Sequence, residues 1–185
     1  MIDRAFFGVD VVSLARRLVG ITLLVDGVGG VIVETEAYHR YDDAAAHSAR
    51  GVTPRTRVMF GPPGHLYVYR SYGLHWCMNV VGGTLPGCAV LLRAVQPTHA
   101  VGQMHERRGK VTPRLLCAGP GRLTQALGVN ISHNGADLSL PPFTWIIPHR
   151  ATAVIAGPRI GITKDVHHPW RFTLAGSSFV SRRVG

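Results

Sequence analysis

The 185-residue sequence predicts one α+β domain, residues 1–185, in which helices flank a largely antiparallel sheet. β-branched and aromatic runs follow one another with only turn residues between them. Helical periodicity is confined to two short segments, so strands and helices do not alternate as a parallel sheet would require. A chain of this length buries about two thirds of its unfolded surface, and 46% hydrophobic residues are enough for a packed core.

The first helix and the first hairpin have clear local signals. Asp10 is a candidate N-cap for a helix that ends near Gly20. The apolar positions of this helix recur at helical spacing: Val12, Ala15, Leu18 and Val19. Residues 21–38 then predict two strands joined by a tight turn at Asp26-Gly27.

Loops and aromatic strands dominate the middle of the chain. The alanine-rich stretch from Asp42 to His47 predicts a short helix, and residues 49–65 predict a loop rich in Gly, Pro and Arg. Residues 65–81 are β-branched and aromatic, and they predict strand structure that is broken near Tyr72-Gly73.

The second half of the chain predicts one strand, one helix and two final strands. Residues 88–97 predict a strand ended by Pro97. Residues 119–130 open on glycines and predict a helix, and residues 159–181 predict the last two strands.

The charge indicates a polyanionic partner. The net charge is +10 with 18 arginines and two lysines, which favours DNA, RNA or an anionic membrane surface. No apolar run approaches the roughly 18 residues of a membrane span, and the first ten residues lack a signal-peptide layout. We therefore expect a soluble protein of the cytoplasm. The three cysteines show no CxxC spacing and are expected to be reduced and buried.

Two of the chain's three glutamates stand in the second strand of the predicted hairpin. If residues 31–38 are extended, Ile32, Glu34, Glu36 and Tyr38 share one face, and Val31, Val33, Thr35 and Ala37 the other. Three interpretations stay open: a solvated face with arginine partners, an acid/base pair for glycoside hydrolysis, and one catalytic carboxylate beside a structural one. Glu34, Glu36 and His47 match no metal-binding pattern, so we expect no metal and no cofactor.

Aromatic and basic residues form a second candidate site. Tyr67, Tyr69, Tyr72 and Trp76 lie within ten residues, where they could stack on bases or simply pack a sheet. Tyr72, at a strand–turn junction, is placed to protrude. The Pro/Gly loop after His47 carries three candidate phosphate contacts, for which surface solvation is the alternative: Arg50, Arg55 and Arg57.

Several long segments of the sequence resemble those of the alkyladenine (3-methyladenine, methylpurine) DNA glycosylase family. They occur in the family's order: VETEAY, AAHSARGVTPRTRVMFGPPGHLYVY, SYGLHWCMN, VLLRAVQP and GPGRLTQALGVN. The resemblance covers most of residues 5–182. It implies a curved sheet like that of the C-terminal domain of methionyl-tRNA formyltransferases. It also implies removal of damaged purines from duplex DNA after base flipping.

The resemblance separates the two glutamates. Glu36 matches the family's catalytic carboxylate, which activates a water, and Arg93 matches the arginine that holds this water and a nearby phosphate. The backbone near Val180 is similar to the segment that closes the water site. Glu34 is then expected to be structural, with an arginine or backbone N–H partner.

The other family positions belong to the base pocket and the wedge. Tyr38 and Tyr69 match the aromatic walls for the flipped base, and His47 matches a pocket histidine. Asn79 matches the residue that obstructs the exocyclic amine of guanine, and Tyr72 the residue that fills the gap in the base stack. The "RSY" before Gly73 is more basic than the family pattern.

The resemblance implies as partner a double-stranded DNA with a damaged purine, and we expect no membrane and a monomer. A bifunctional glycosylase needs an amine for Schiff-base attack. The available amines are Lys110, Lys164 and the N-terminus, and neither lysine lies in the matched segments. We therefore expect a monofunctional enzyme that uses water. The alternative function is a non-catalytic nucleic-acid-binding domain of the same fold.

Overall fold

The computed structural model describes residues 2–182 of the chain. The helices are α1 (Arg4–Phe7), α2 (Val11–Leu18), α3 (Val101–Arg108), α4 (Pro113–Leu116) and α5 (Pro120–Leu127). The strands are β1 (Thr22–Val25), β2 (Val28–Tyr38), β3 (Leu66–Ser71), β4 (His75–Val81), β5 (Ala89–His99), β6 (Phe143–Ile146), β7 (Val154–Gly157) and β8 (Arg171–Leu174). Three 3-10 turns span His47–Arg50, Arg57–Phe60 and Ile131–His133. Within residues 2–182, no helix combines the length and the apolar character that a membrane crossing requires.

A single eight-stranded sheet organises the molecule, and β2 lies at its centre. The strand order is β3-β4-β5-β2-β1-β6. Strand β5 pairs along most of one side of β2, while β1 and β8 share the other side, and β7 pairs with β8. Every strand pair in the described part of the chain is antiparallel, which confirms the predicted α+β fold with a curled antiparallel sheet.

Helix α2 and the first hairpin form as predicted. Asp10 accepts a hydrogen bond from the Ser13 N–H and caps the helix. Asp26 and Gly27 both have positive φ, 51° and 76°, as a two-residue type I′ turn requires. The Thr35 hydroxyl donates to the Ala15 carbonyl at 2.8 Å. Helix α2 therefore covers one face of β2 and leaves the opposite face to the carboxylates.

A bulge in the central strand corrects the predicted alternation. The β2–β5 register shifts between Ile32 and Glu34, and again before Thr35. Ile32 and Ala37 consequently lie together in the main core, whereas Val33 packs with Val180 in a separate cluster. The predictions that Ile32 shares the carboxylate face, and that Val33 shares the face of Ala37, are wrong.

Three element predictions are also wrong. Residues 42–47 form turns rather than a helix, because the Asp43 carboxylate accepts from the backbone N–H groups of His39 and Ala45. Strand β5 continues past Pro97 to His99, in a stretch where only β2 lies beside it and the register shifts. Only β8 falls within residues 159–181, because β7 ends at Gly157 and a loop follows.

The three cysteines are free and buried, as predicted.

Candidate active site

A cavity of about 590 Å³ opens on the face of the sheet opposite α2. Its wall combines residues of β2, the 45–59 loop, β3, β4, β5 and the 160–162 loop. Seven residues predicted for the site meet here: Tyr38, His47, Arg55, Tyr69, Tyr72, Asn79 and Arg93. Tyr67, one of the aromatic candidates for base stacking, also lines the cavity, as do Cys77 and Ile160, which the sequence analysis did not assign to the site.

Glu36 lies directly behind this wall. Its side chain is fully covered and does not itself line the cavity. Oε2 accepts from the Tyr38 hydroxyl at 2.8 Å and from Arg93 Nη1 at 3.3 Å. Oε1 accepts from the Ile160 N–H at 2.7 Å. Two cavity-lining side chains and a cavity-lining backbone amide therefore hold and orient the carboxylate.

Glu34 accepts more hydrogen bonds than Glu36, and it does not line the cavity. Its Oε1 accepts from Arg93 Nε at 3.0 Å, from Arg171 Nε at 2.7 Å and from the Ser181 hydroxyl at 2.8 Å. Its Oε2 accepts from the Ser181 N–H. The expected partners of Glu34 are thus present, both an arginine and a backbone N–H. Glu34 thus accepts four hydrogen bonds from neighbouring groups of the protein, as expected of a structural carboxylate.

Arg93 joins the two carboxylates and confirms that they share a face. Burial lowers the pKa of Arg93, but the negative charges of Glu36 and Glu34 more than offset this, so the net pKa is raised. Two buried carboxylates face two buried guanidinium groups, Arg93 and Arg171, and the local charge balances. The interpretation of a solvated carboxylate face is therefore wrong, because pairing occurs in the interior.

Tyr38 forms one aromatic wall of the cavity. Burial raises the pKa of its phenol, and the charge of Glu36 and the hydrogen bond to it raise the pKa further. The phenol therefore stays protonated and donates to Glu36. The guanidinium carbon of Arg159 lies 4.7 Å from the centre of the Tyr38 ring.

Arg159 and Asp43 form a buried ion pair that the sequence analysis missed. Both side chains are fully covered, and Nη1 and Nη2 donate to the two Asp43 oxygens at 2.5 and 2.8 Å. Arg159 also donates to the Ala37 carbonyl next to Tyr38. Asp43 begins the loop to His47, so this pair ties together the two segments that carry Tyr38 and His47.

The second wall consists of His47, Tyr67 and Tyr69. The His47 and Tyr69 rings meet edge to face at 4.4 Å, and His47 Nδ1 lies 3.1 Å from the Tyr67 hydroxyl. His47 borders solvent on its outer side. Partial desolvation and the charge of Arg55 lower its pKa to about 4, so the ring is neutral near pH 7. Burial likewise raises the phenol pKa of Tyr67 and of Tyr69.

Asn79 and Tyr72 occupy different depths of the cavity. Asn79 is buried on β4 and its Nδ2 donates to the Tyr67 carbonyl at 3.1 Å, which fixes the carboxamide. Tyr72 is 89% exposed at the tip of the β3–β4 turn. It has a positive φ of 50°, and Gly73 follows with 68°. A tyrosine is rarely found in this backbone region.

The three loop arginines do not share one position. The guanidinium carbon of Arg55 lies 5.0 Å from the centre of the Tyr69 ring and inside the main cavity wall. Arg50 lines a neighbouring cavity of about 480 Å³, together with Lys164. Arg57 is exposed at the start of a 3-10 turn and lines neither of these two cavities. All three are available to solvent.

The segment near Val180 closes the underside of the carboxylate pair. Val180 packs on Val33 and Ala94, and the next residue, Ser181, binds Glu34. Arg93 Nη2 reaches the Ser181 hydroxyl at 3.4 Å. The tail thus completes the surroundings of the carboxylates from a distant part of the chain.

Comparison with known proteins identifies the class of enzyme. The model of the family described as methylpurine-DNA glycosylase matches residues 5–178. Three relatives carry the name "Putative 3-methyladenine DNA glycosylase". The protein from Nitrobacter winogradskyi is 56% identical over 184 residues, which is 98% of this chain and 87% of the relative. Those from Rhizobium meliloti and Agrobacterium fabrum are 53% and 51% identical over 98% of this chain, and over 96% and 93% of their own lengths.

The fold, the site and these comparisons define a DNA glycosylase, a hydrolase that acts on N-glycosyl bonds in DNA repair. The chain belongs to the methylpurine-DNA glycosylase family.

Proposed function

We propose that this enzyme excises alkylated and deaminated purines from duplex DNA by flipping them into the 590 Å³ cavity. The substrates are 3-methyladenine, 7-methylguanine, hypoxanthine and ethenoadenine, and the product is an abasic site. The observation that carries the proposal is the contact of Glu36 with Tyr38 and Arg93, because it joins a carboxylate to both an aromatic wall and a cavity-lining cation. A domain that only binds nucleic acid has no need of this arrangement.

Aromatic side chains that line the cavity support stacking of a flipped base. Tyr38 lines the cavity from β2, and the touching rings of His47 and Tyr69 line it from the 45–59 loop and β3. Asn79 would stand against the exocyclic amine of guanine, and its hydrogen bond to Tyr67 holds it there. The neutral His47 ring can accept or donate a hydrogen bond to the base without adding charge.

Glu36 and Arg93 are proposed to perform the hydrolysis. A water bound beside Arg93 attacks C1′ of the flipped nucleotide and transfers its proton to Glu36 Oε2. The N-glycosyl bond breaks, the base leaves with the bonding electrons, and the sugar gains the hydroxyl. Because Glu36 is fully covered, the Tyr38 hydroxyl has to yield its hydrogen bond as water and sugar enter.

Tyr72 is proposed to fill the gap that the flipped nucleotide leaves. An aromatic ring that is 89% exposed, on a backbone conformation that costs roughly 1–3 kcal/mol, indicates a functional position. Wedges of this kind hold an unstacked step open. Arg50, Arg55 and Arg57 are exposed on the loop after His47 and are proposed to contact phosphates.

Hydrolysis by water rather than by an enzyme amine is also part of the proposal. Among the described residues that line the main cavity there is no lysine, and Lys164 lines the neighbouring one. We further propose that residues 1–185 act as one domain and as a monomer. A DNA substrate and bacterial relatives suggest that it works at the nucleoid in the cytoplasm.

The test is incubation with a panel of duplexes, each containing one of the four proposed lesions, followed by alkali cleavage of abasic sites. We expect strand breaks only after alkali, and no covalent adduct when borohydride is added. Breaks without alkali, together with a borohydride-trapped adduct between protein and DNA, would overturn the water mechanism. Absence of any base release from the whole panel of four lesions would overturn the proposed activity itself.

A further inference from the structure

A cluster of ligand-bearing side chains lies outside the glycosylase site, in the loop before β8. Asp165, His167 and His168 each present one ligand atom, and these atoms all lie within 4.8 Å of one another. This is the one such His, Cys, Asp or Glu group found among residues 2–182. The cluster lines neither the 590 Å³ cavity nor the 480 Å³ cavity.

His168 is oriented as a metal-binding histidine is. Its Nε2 lies 3.2 Å from the Asp42 carbonyl. A carbonyl can only accept, so Nε2 carries the proton and Nδ1 keeps its lone pair for a cation. A hydrogen bond from the second ring nitrogen to a backbone carbonyl is the usual partner of a metal-ligating imidazole. The ring also stacks on Trp170 at 3.9 Å with planes 7° apart, which fixes its orientation.

His167 and Asp165 also have ligand atoms with lone pairs that can bind a cation. Within the described chain, neither ring nitrogen of His167 makes a hydrogen bond to protein, and the residue is exposed. Asp165 Oδ2 accepts from the Ala44 N–H, and Oδ1 has lone pairs available. The two histidine rings lie 4.2 Å apart, centre to centre.

We propose that Asp165, His167 and His168 bind one transition-metal dication of the zinc class. Two imidazoles and one carboxylate suit Zn²⁺, Ni²⁺ or Cu²⁺ better than Mg²⁺ or Ca²⁺, which prefer oxygen ligands. Tetrahedral zinc with bonds of about 2.1 Å separates its ligands by about 3.4 Å. Closing the cluster from 4.8 Å to this spacing needs shifts of roughly an ångström, which exposed His167 and half-buried Asp165 can supply while His168 stays on Trp170, and a water completes the coordination.

The position of the site determines what the metal would do. Asp165 already connects the loop to Ala44, and its carbonyl accepts from Arg159, which lies over Tyr38. His168 connects the same loop to Asp42. A bound dication would therefore lock the loop before β8 onto the 42–47 segment that ends at His47. The inference does not depend on which lesion the enzyme excises.

The test is a calorimetric titration of the full-length chain with Zn²⁺ at about pH 7.5, where imidazoles are available as ligands. We expect one saturable site in the unaltered protein. His167→Ala should weaken it at least about tenfold, which is the smallest loss typical even of outer-shell partners, and His167→Ala/His168→Ala should abolish it. Asp165→Asn should also weaken binding, and His149→Ala, an exposed histidine outside the cluster, should leave it unchanged.

Two further measurements keep the proposal falsifiable. Cu²⁺ bound at this site should show electron-paramagnetic couplings from two imidazole nitrogens, and from one in His167→Ala. Zn²⁺ should raise the melting temperature of the unaltered protein and of His149→Ala, but not of the double variant, because a ligand stabilises only the state that binds it. Lack of a saturable site, or equal affinity and equal stabilisation in the double variant, would overturn the proposal.

Discussion

At the residue scale, long-range ion pairs hold the site together. Glu34 binds Arg93 and Arg171, which lie 59 and 137 positions away, and Asp43 binds Arg159 at a separation of 116. No local pattern of the sequence indicates such partners. The alternation along β2 predicts that Glu34, Glu36 and Tyr38 share a face, but it does not show which arginine each carboxylate meets. For the same reason it could not reveal the bulge at Val33, which depends on pairing with β5.

The Asp43–Arg159 pair provides a stability prediction. Asp43→Asn keeps the shape of the side chain but leaves a buried guanidinium group without a counter-charge. We expect the free energy of unfolding to fall by about 3–5 kcal/mol, measured by urea denaturation. Asp42→Asn is the matched control, because the side chain of Asp42 is 78% exposed, and it should change stability by less than about 0.5 kcal/mol. Equal loss in the two variants would show that the buried pair has no special role.

At the element scale, hairpin turns are what the sequence predicts best. Asp26-Gly27 and Tyr72-Gly73 both form turns with positive φ at two consecutive residues, and glycine marks each one locally. The loops are predicted poorly. One of the two strands predicted within residues 159–181 does not form, because the Arg159 guanidinium pairs with buried Asp43 and the Ile160 N–H donates to Glu36. Both are tertiary contacts, and they override local propensity.

The β3–β4 turn provides a prediction about DNA retention. Tyr72→Ala should weaken binding of a lesion duplex by roughly 1–3 kcal/mol, the usual value of one base–aromatic stack. The single-turnover rate of bond cleavage at saturating enzyme should change less. Tyr41→Ala is the control, because Tyr41 is also an exposed tyrosine, at 64%. A variant at Tyr72 that binds normally but cleaves slowly would contradict the wedge role.

At the scale of the whole molecule, the net charge of +10 and the position of the cavity decide how DNA is approached. The charge follows directly from the sequence. The spatial arrangement of the charges cannot be predicted from the sequence, because it depends on which face of the fold each helix, strand or loop exposes. Helix α2 packs on the face of β2 opposite the carboxylates, so its arginines lie away from the cavity, while exposed Arg50, Arg55 and Arg57 belong to the loop that carries His47.

This arrangement predicts a specific salt dependence. The logarithm of the association constant should fall linearly with the logarithm of salt concentration, with a slope of about −0.9 for each phosphate neutralised. Arg50→Gln, Arg55→Gln and Arg57→Gln should each reduce the slope by about 1, measured by fluorescence anisotropy. Arg16→Gln, an exposed position on α2, should leave the slope unchanged. An equal effect at all four positions would mean that DNA is held by overall charge and not by this face.

The most direct measurement of the central claim is single-turnover excision by Glu36→Gln, because Gln preserves the size of the side chain and removes the base. The duplex carries one hypoxanthine, and Glu106→Gln, the remaining glutamate of the chain, exposed on α3, is the control. We expect the Glu36 variant to bind the lesion duplex but to lose at least about 100-fold in excision rate, the lower range for general base catalysis. The control should match the unaltered enzyme. Excision by Glu36→Gln at the unaltered rate would contradict the account.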